Sequence, residues 1–251
     1  MSLACSEESG AEVVSDRMAM VLAQLDRGGS GDGADGLSHL ASSTVAVIVG
    51  VDGMCAGVGT GPAGTVPAWG GEAVGTALED LQFTLGEGPS RDAAVTGVPV
   101  LTPDLADALA RWPAFTPAAM GLGARALFVF PLRIGAIGVG TMLAHRRAPG
   151  ALAAAQIADA LALADAVTLA LLHRQWSTPE DGGQPGPGWA QPVTYRAEVH
   201  QATGMVSVQL EVNLAEALVR LRARAWAEDR PLADVAADVV ARRLRFNASD
   251  R

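Results

Sequence analysis

Arginine is the one basic side chain available for anion chemistry in this chain, and its balance against acids differs along the sequence. All 18 basic residues are arginine, and nine of them lie in residues 191–251 beside eight carboxylates, a net charge of +1. Residues 1–176 carry nine arginines and 17 carboxylates, a net charge of −8. A guanidinium can pair with two phosphate oxygens and stack on a base. The C-terminal segment is therefore best suited to bind a polyanion.

Other chemistries have little support in the sequence. Two cysteines are too few for a disulfide framework, and no spacing of cysteine and histidine is typical of a zinc site. No nucleophilic-serine, phosphate-loop or zinc-hydrolase motif is present, and we interpret Glu79 and Asp80 as surface acids of a helix. We therefore predict a protein that is not an enzyme and needs no metal and no cofactor.

Three amphipathic helices are predicted to position the C-terminal arginines. The first covers about Thr194–Leu210. The second begins after Asn213, an N-cap residue followed three positions later by Glu216. The third begins at Pro231, a residue that suits a first helical turn. Apolar residues at helical spacing give each helix one stripe, which predicts a three-helix bundle.

Short motifs along this segment carry a family likeness. They are Arg196, Val199, Gln201-Ala202-Thr203-Gly204 and Leu221-Arg222. In order and spacing they resemble the ANTAR domain, a three-helix RNA-binding antiterminator module. The resemblance implies that RNA stem-loops of a leader transcript are contacted by Arg196, Gln201, Ala202, Thr203, Gly204 and Arg222. Thr203 stands where the family has its signature lysine, so this chain lacks one cation of the motif.

The RNA interpretation makes further expectations, each with an alternative. We expect Arg196 and Arg222 to lie on one accessible side of the bundle, although both could be ordinary surface residues. Gly204 inside a helix costs about 0.5–1 kcal/mol relative to alanine, so close approach of another helix or of RNA is expected there. A DNA-binding helix-turn-helix fits less well, because Asp234 and Asp238 would face the phosphate-lined groove.

The N-terminal part is predicted to form an α+β domain, an antiparallel sheet with flanking helices. Thr44–Gly50 and Met54–Thr60 are expected to pair as strands across an Asp52-Gly53 turn. Ala124–Ile134 and Ile137–His145 are expected to form a second hairpin, with Pro131 requiring an edge or a bulge. A short strand within Gly97–Leu101 completes the sheet, and helices are expected over Glu12–Arg27, Ala73–Phe83, Trp112–Leu122 and Ala151–Arg174.

This part carries a second likeness, over roughly Leu37–Leu172. Its motifs are Leu85-Gly86-Glu87-Gly88-Pro89, Asp92-Ala93, Pro99-Val100-Leu101, Asp104-Leu105, Trp112-Pro113 and Phe128–Leu132. They resemble the GAF domain found upstream of ANTAR in bacterial regulators, with Ser90 where many relatives have cysteine. The resemblance implies a small-molecule pocket between sheet and helices, or a domain used for dimerisation. Residues that line such a pocket, or simply form the core, are Trp69, Phe83, Trp112, Phe115, Met120 and Phe128.

The predicted organisation has five parts: residues 1–36 with a helix and a glycine-rich loop, the GAF-like domain at 37–176, a Gly/Pro linker at 177–191, the ANTAR-like domain at 192–246, and a tail at 247–251. No signal peptide is evident, and carboxylates within Ala151–Leu172 disfavour a membrane span. We expect a cytoplasmic protein without a membrane partner. The apolar stripe on this helix that could support a homodimer is Ile157, Leu161, Ala164, Thr168 and Leu172.

The function predicted from these features is an RNA-binding transcription antitermination regulator. Its GAF-like domain would sense a small ligand or mediate dimerisation, and its ANTAR-like domain would bind hairpins of a leader transcript. The alternative is a GAF-type sensor whose C-terminal helices bind a protein and not RNA.

Overall fold

The structure of the chain is a computed structural model that describes residues 14–29, 37, 40–59, 65–176 and 190–247. The glycine-rich loop and most of the linker predicted at 177–191 lie outside these residues. The first of the three predicted C-terminal helices begins earlier than the expected Thr194, at Ala190.

A five-stranded antiparallel sheet forms the centre of the N-terminal part. Its strands are β1 (Gly53–Val58), β2 (Val66–Gly70), β3 (Val100–Thr102), β4 (Ala126–Ile134) and β5 (Ile137–Arg146), in the spatial order β2-β1-β5-β4-β3. Among the described residues, one face of the sheet packs against α1 (Asp16–Gly29), α2 (Ser42–Val49) and α6 (Ala154–Trp176). The other packs against α3 (Ala73–Leu85), α4 (Pro89–Thr96), a 3₁₀ turn (Leu105–Ala108) and α5 (Phe115–Gly121). The predicted α+β class with an antiparallel sheet is confirmed.

Strand β4 shows how the sheet divides the core in two. Phe128 and Phe130 contribute to the layer with α1, α2 and α6, whereas Leu127 and Val129 contribute to the layer with α3 and α5. Side chains of a strand alternate between its two faces. Because both faces are covered by helices, the strand is apolar at nearly every position.

The first predicted hairpin is wrong. Thr44–Gly50 lies in helix α2, where Val45, Ala46 and Val49 are buried and Val47 is 74% exposed, a helical and not an alternating pattern. Gly50 ends the helix in the left-handed conformation at φ 75°. A short apolar run of this kind fits either a buried strand or a buried helix. As a result Asp52-Gly53 is not a hairpin turn, and β1 pairs with β2 and β5.

The second predicted hairpin, β4–β5, is confirmed, and so is the reasoning on Pro131. Strand β3 pairs with β4 at Leu127 to Val129 and does not reach Pro131, so β4 is locally an edge there. The register also shifts between Leu132 and Arg133. A residue without an N–H is tolerated at such a position because no ladder bond is lost. Strand β2 and helix α4 were not predicted.

Helix α6 is long and apolar enough over Ala154–His173 to cross a membrane by length and composition. It packs on α1, α2 and β4, and its central residues belong to the apolar core. Core helices of globular proteins pass the same test, so this helix does not indicate a membrane protein. The stripe predicted to pair with a second copy is partly used inside the chain, since Ala164 and Thr168 are buried and its other three residues are half-buried.

The C-terminal part is a three-helix bundle of α7 (Ala190–Leu210), α8 (Leu214–Ala227) and α9 (Leu232–Val240). Asn213 caps α8 as predicted, its Oδ1 accepting the backbone N–H of Glu216 at 2.9 Å. The predicted stripes are buried between the helices, except that Leu214 is exposed and Val240 is half-buried. The bundle core also includes one residue of the sheet domain, Phe83 of α3.

Candidate nucleic-acid interface

Phe83 is the point where the sheet domain meets the bundle. Its ring is 3% exposed and joins the apolar cluster of α7, α8 and α9. The guanidinium of Arg196 on α7 lies 5.3 Å from the ring centroid, and that of Arg222 on α8 lies 5.6 Å from it. His200, one turn along α7 from Arg196, meets the ring edge-on at 6.0 Å. Two motif arginines from different helices therefore converge on one aromatic ring, within the range of a cation–π contact.

Arg196 is buried at this junction, with only 3% of its side chain exposed. Its Nη2 donates to Oδ1 of Asp80 on α3 at 2.9 Å. Its Nε and Nη1 have no hydrogen-bond partner among the described residues. A buried donor without a partner costs about 1–3 kcal/mol. Arg196 thus occupies a site that satisfies it incompletely.

Arg222 contacts the end of α3. Its Nη2 donates to the backbone carbonyl of Phe83, in the last turn of that helix, where a cation is favoured by the helix dipole. Gly86 ends α3 at φ 75°, and a Cβ there would lie 3.1 Å from Nη1 of Arg222. The absence of a side chain at Gly86 therefore lets α8 approach α3 closely.

A buried polar cluster lies behind this contact, inside the sheet domain. Ser90 donates from Oγ to Glu79 at 2.7 Å and accepts from Gln82 Nε2 at 3.0 Å, while Thr65 donates to Glu79 at 3.1 Å. Glu79 is buried, so its interpretation as a surface acid is wrong. Ser90 is buried as well, so the position at which the GAF resemblance sets a serine in place of a cysteine is not an open surface here.

Burial perturbs the titration of these groups. The pKa of Glu79 is raised from its ordinary value by burial, against the hydrogen bond from Ser90 and the charge of Arg196. Burial also raises the pKa of Asp80, against the charge and hydrogen bond of Arg196. The pKa of His200 is lowered by burial and then by Arg196. The charge of Arg196 contributes to all three pKa values, so a change of charge at this junction would alter the protonation of its neighbours.

The structure separates the residues that the ANTAR resemblance singles out. The prediction that Arg196 lies on an accessible side is wrong, because α3 covers it, and Arg222 is half-buried. Ala202 belongs to the bundle core, and Thr203 is buried with its Oγ1 donating to the carbonyl of Val199 at 2.7 Å. The remaining two motif residues are more accessible: Gln201 is exposed and Gly204 is half-buried.

Gly204 is not explained by close helix packing. A Cβ built on it meets no described atom within 4 Å. Of the two reasons expected for a glycine at this position, the approach of another helix within the described structure is therefore wrong. The approach of RNA is untested.

The six residues predicted to line a ligand pocket do not lie together. Trp112, Phe115 and Met120 share the layer of α3 and α5, whereas Trp69 and Phe128 lie in the opposite layer and Phe83 lies in the bundle. An open pocket of about 110 Å³ lies between α4 and the β4–β5 hairpin, and its lining, which includes Gly97 and Arg133, contains none of the six. No single ligand could therefore contact all six residues.

Sequence reasoning missed the partners in the sheet domain. Asp80 and Phe83 are separated from Arg196 by more than a hundred residues, so no local pattern signals the contact. A comparison with protein-family models and with curated proteins found no match to this chain. Its function is therefore argued from its own residues.

Proposed function

We propose that the chain is an RNA-binding transcription antitermination regulator, with an ANTAR-like bundle that binds hairpins of a leader transcript. The observation that carries the proposal is the convergence of Arg196 and Arg222 on one side of the bundle, around a single aromatic ring. Sequence-specific RNA recognition commonly uses unstacked bases in loops, which stack on arginine planes while phosphates pair with guanidinium groups. Two arginines on one side of the bundle provide this chemistry.

The sheet domain, in this proposal, is a GAF-like sensor. Helix α3 has two contacting faces: Leu78 packs in the layer of Trp112 and Phe115, and Phe83 packs in the bundle. A ligand that enters the layer of Trp112 and Phe115 would shift α3 and therefore the arginines that α3 covers. The ligand has no chemical signature in these residues beyond their apolar character.

RNA binding by the full chain tests the proposal. A panel of tandem-hairpin RNAs would be titrated with the wild type and with Arg222→Ala at several salt concentrations. We expect the variant to bind more weakly and to lose about 0.7–0.9 from the slope of log K against log salt, which corresponds to one phosphate contact. Arg245→Ala, which removes the same charge from an exposed site after α9, is the matched control. Absence of binding to every hairpin would remove the proposal.

The competing function is a protein-interaction module, and one observation favours it. Val219 and Trp226 are exposed on α8, Trp226 at 76%. The two residues are seven positions apart and therefore lie on the same side of α8, and a contiguous apolar patch can mark a protein-interaction site. A pull-down with the full chain separates the two functions: recovery of hairpin RNA supports the first, and binding of a protein that survives nuclease treatment and requires Trp226 supports the second.

A further inference from the structure

The surface of α3 that covers the arginines has a specific chemistry. Asp80 and Phe83 are three residues apart on one helix, so they project from the same side of it. Asp80 provides a carboxylate to Arg196 at 2.9 Å, and Phe83 provides a ring to both arginines at 5.3 and 5.6 Å. The bundle therefore binds two groups of its own chain as a ligand would be bound: the carboxylate anion of Asp80 and the flat ring of Phe83.

We infer that α3 is an internal competitor for RNA: the carboxylate of Asp80 takes the place of a phosphate, and the ring of Phe83 takes the place of an unstacked base. The inference rests on the proposed function, since it identifies the covered side of the bundle as the RNA site. It also states what kind of RNA fits, namely a loop in which an unstacked base lies next to an accessible phosphate.

The internal ligand is chemically incomplete. Asp80 engages Nη2 of Arg196 and leaves Nε and Nη1 without a partner, although a guanidinium offers a fork of donors. Phosphate presents several oxygens to such a fork and accepts two parallel hydrogen bonds. An RNA phosphate would therefore satisfy Arg196 better than Asp80 does. The competitor is still effective, because a ligand within the same chain acts at high effective concentration.

The charge of the contact argues in the same direction. Burial raises the pKa of Asp80 and lowers that of His200, so both groups give up favourable hydration when α3 covers the bundle. Opening returns Asp80 to water and exposes Arg196, His200 and Arg222 together. Release of α3 thus exposes two guanidinium groups and an imidazole on one side of the bundle, where an RNA loop can bind.

The test compares RNA binding of the full-length wild type with Asp80→Asn and Phe83→Ala. If α3 holds the bundle closed about nine-tenths of the time, removing either contact raises the apparent RNA affinity by up to about tenfold, the inverse of the open fraction. Asp107→Asn is the control for Asp80→Asn, because it removes the same charge from an exposed site of the same domain. Asp80→Asn also guards against misfolding of Phe83→Ala, since it changes no packed volume.

Hydrogen exchange of α7, measured without RNA, provides an independent readout of closure. We expect faster exchange around Arg196 to Thr203 in Asp80→Asn and Phe83→Ala than in the wild type and Asp107→Asn. Equal RNA affinity in all four proteins would overturn the competitor and leave the RNA function standing. If no protein binds RNA, including the variants with faster exchange, the proposed function fails and the competitor fails with it. Unchanged exchange in both variants would show that α3 does not close the bundle.

Discussion

Gly204 destabilises the helix in which it lies, and the packing of the described residues gives no reason for a glycine there. It lies inside α7, where glycine is about 0.5–1 kcal/mol less favourable than alanine, and a Cβ there would meet no described atom within 4 Å. We expect Gly204→Ala to stabilise the protein by about that amount in urea unfolding. If RNA backbone approaches α7 at this point, the same variant should bind hairpins more weakly.

Gly204→Ala is informative because it is expected to raise stability and to weaken RNA binding. Gly121→Ala is a suitable control, because a Cβ at Gly121 also meets no described atom within 4 Å and the residue ends a helix of the sheet domain. It should leave RNA binding unchanged. A Gly204→Ala protein that is more stable and binds RNA as well as the wild type would reduce Gly204 to a neutral feature of the helix.

Glu79 makes stability depend on pH in a defined direction. Burial raises its pKa in the folded state, so the folded protein holds a proton that the unfolded chain releases above about pH 4.3. The free energy of unfolding therefore falls as the pH rises from there through the folded pKa. Glu79→Gln removes this proton uptake, and we expect the variant to gain stability relative to the wild type between pH 4.5 and pH 7.

Urea unfolding of both proteins across that range measures the effect. Asp80, whose pKa is also raised, and His200, whose pKa is lowered and whose effect on stability has the opposite sign, are present in both proteins, so the difference between the two proteins reports mainly on Glu79. Glu198→Gln, at an exposed site on α7, is the control. A constant difference between Glu79→Gln and the wild type at every pH would contradict the buried-carboxyl explanation.

At the scale of the helix, local signals predicted the C-terminal bundle well. The side chain of Asn213 caps α8 by accepting the backbone N–H of Glu216, three residues later, and this spacing is visible in the sequence. We expect Asn213→Ala to lower the free energy of unfolding by about 1 kcal/mol. Thermal denaturation measures it, with Gln201→Ala at an exposed mid-helix position as the control. An unchanged melting temperature would mean that packing alone fixes the start of α8.

Other elements could not be predicted because their signals are ambiguous or distant. The apolar run of α2 fits a strand as well as a helix. Gly50 indicates where this element ends, but it does not indicate whether the element is a helix or a strand. The β4–β5 hairpin was predictable because its strands are adjacent in sequence. The site was not, since Asp80 and Arg196 meet across 116 positions and nothing near either residue indicates the other.

At the scale of the whole molecule, the chain consists of two packed parts joined between α6 and α7. The Gly/Pro-rich sequence at residues 177–189 predicts that limited proteolysis cuts there first. We expect fragments of about residues 1–176 and 190–251 that stay associated through Asp80, Phe83 and Arg196. Size-exclusion chromatography of the cut protein should show co-elution in the wild type and separation in Phe83→Ala. A single protected core without cleavage in this segment would argue against two separable domains.

Self-association is the last expectation for the whole molecule, and the structure changes where it should be tested. A homodimer through α6 was predicted from a stripe that includes Ala164 and Thr168, but these two residues are buried within the chain's own core. The outward side of α6 carries Leu169, which is 53% exposed. If α6 forms the dimer interface, Leu169→Glu should shift the protein from dimer to monomer in sedimentation at tens of micromolar, because a buried unpaired carboxylate is costly. Val208→Glu, at an exposed apolar site on α7, should leave the dimer intact. A wild-type protein that sediments as a monomer at this concentration would remove the homodimer, and two bundles could then bind paired hairpins only if RNA itself brought them together.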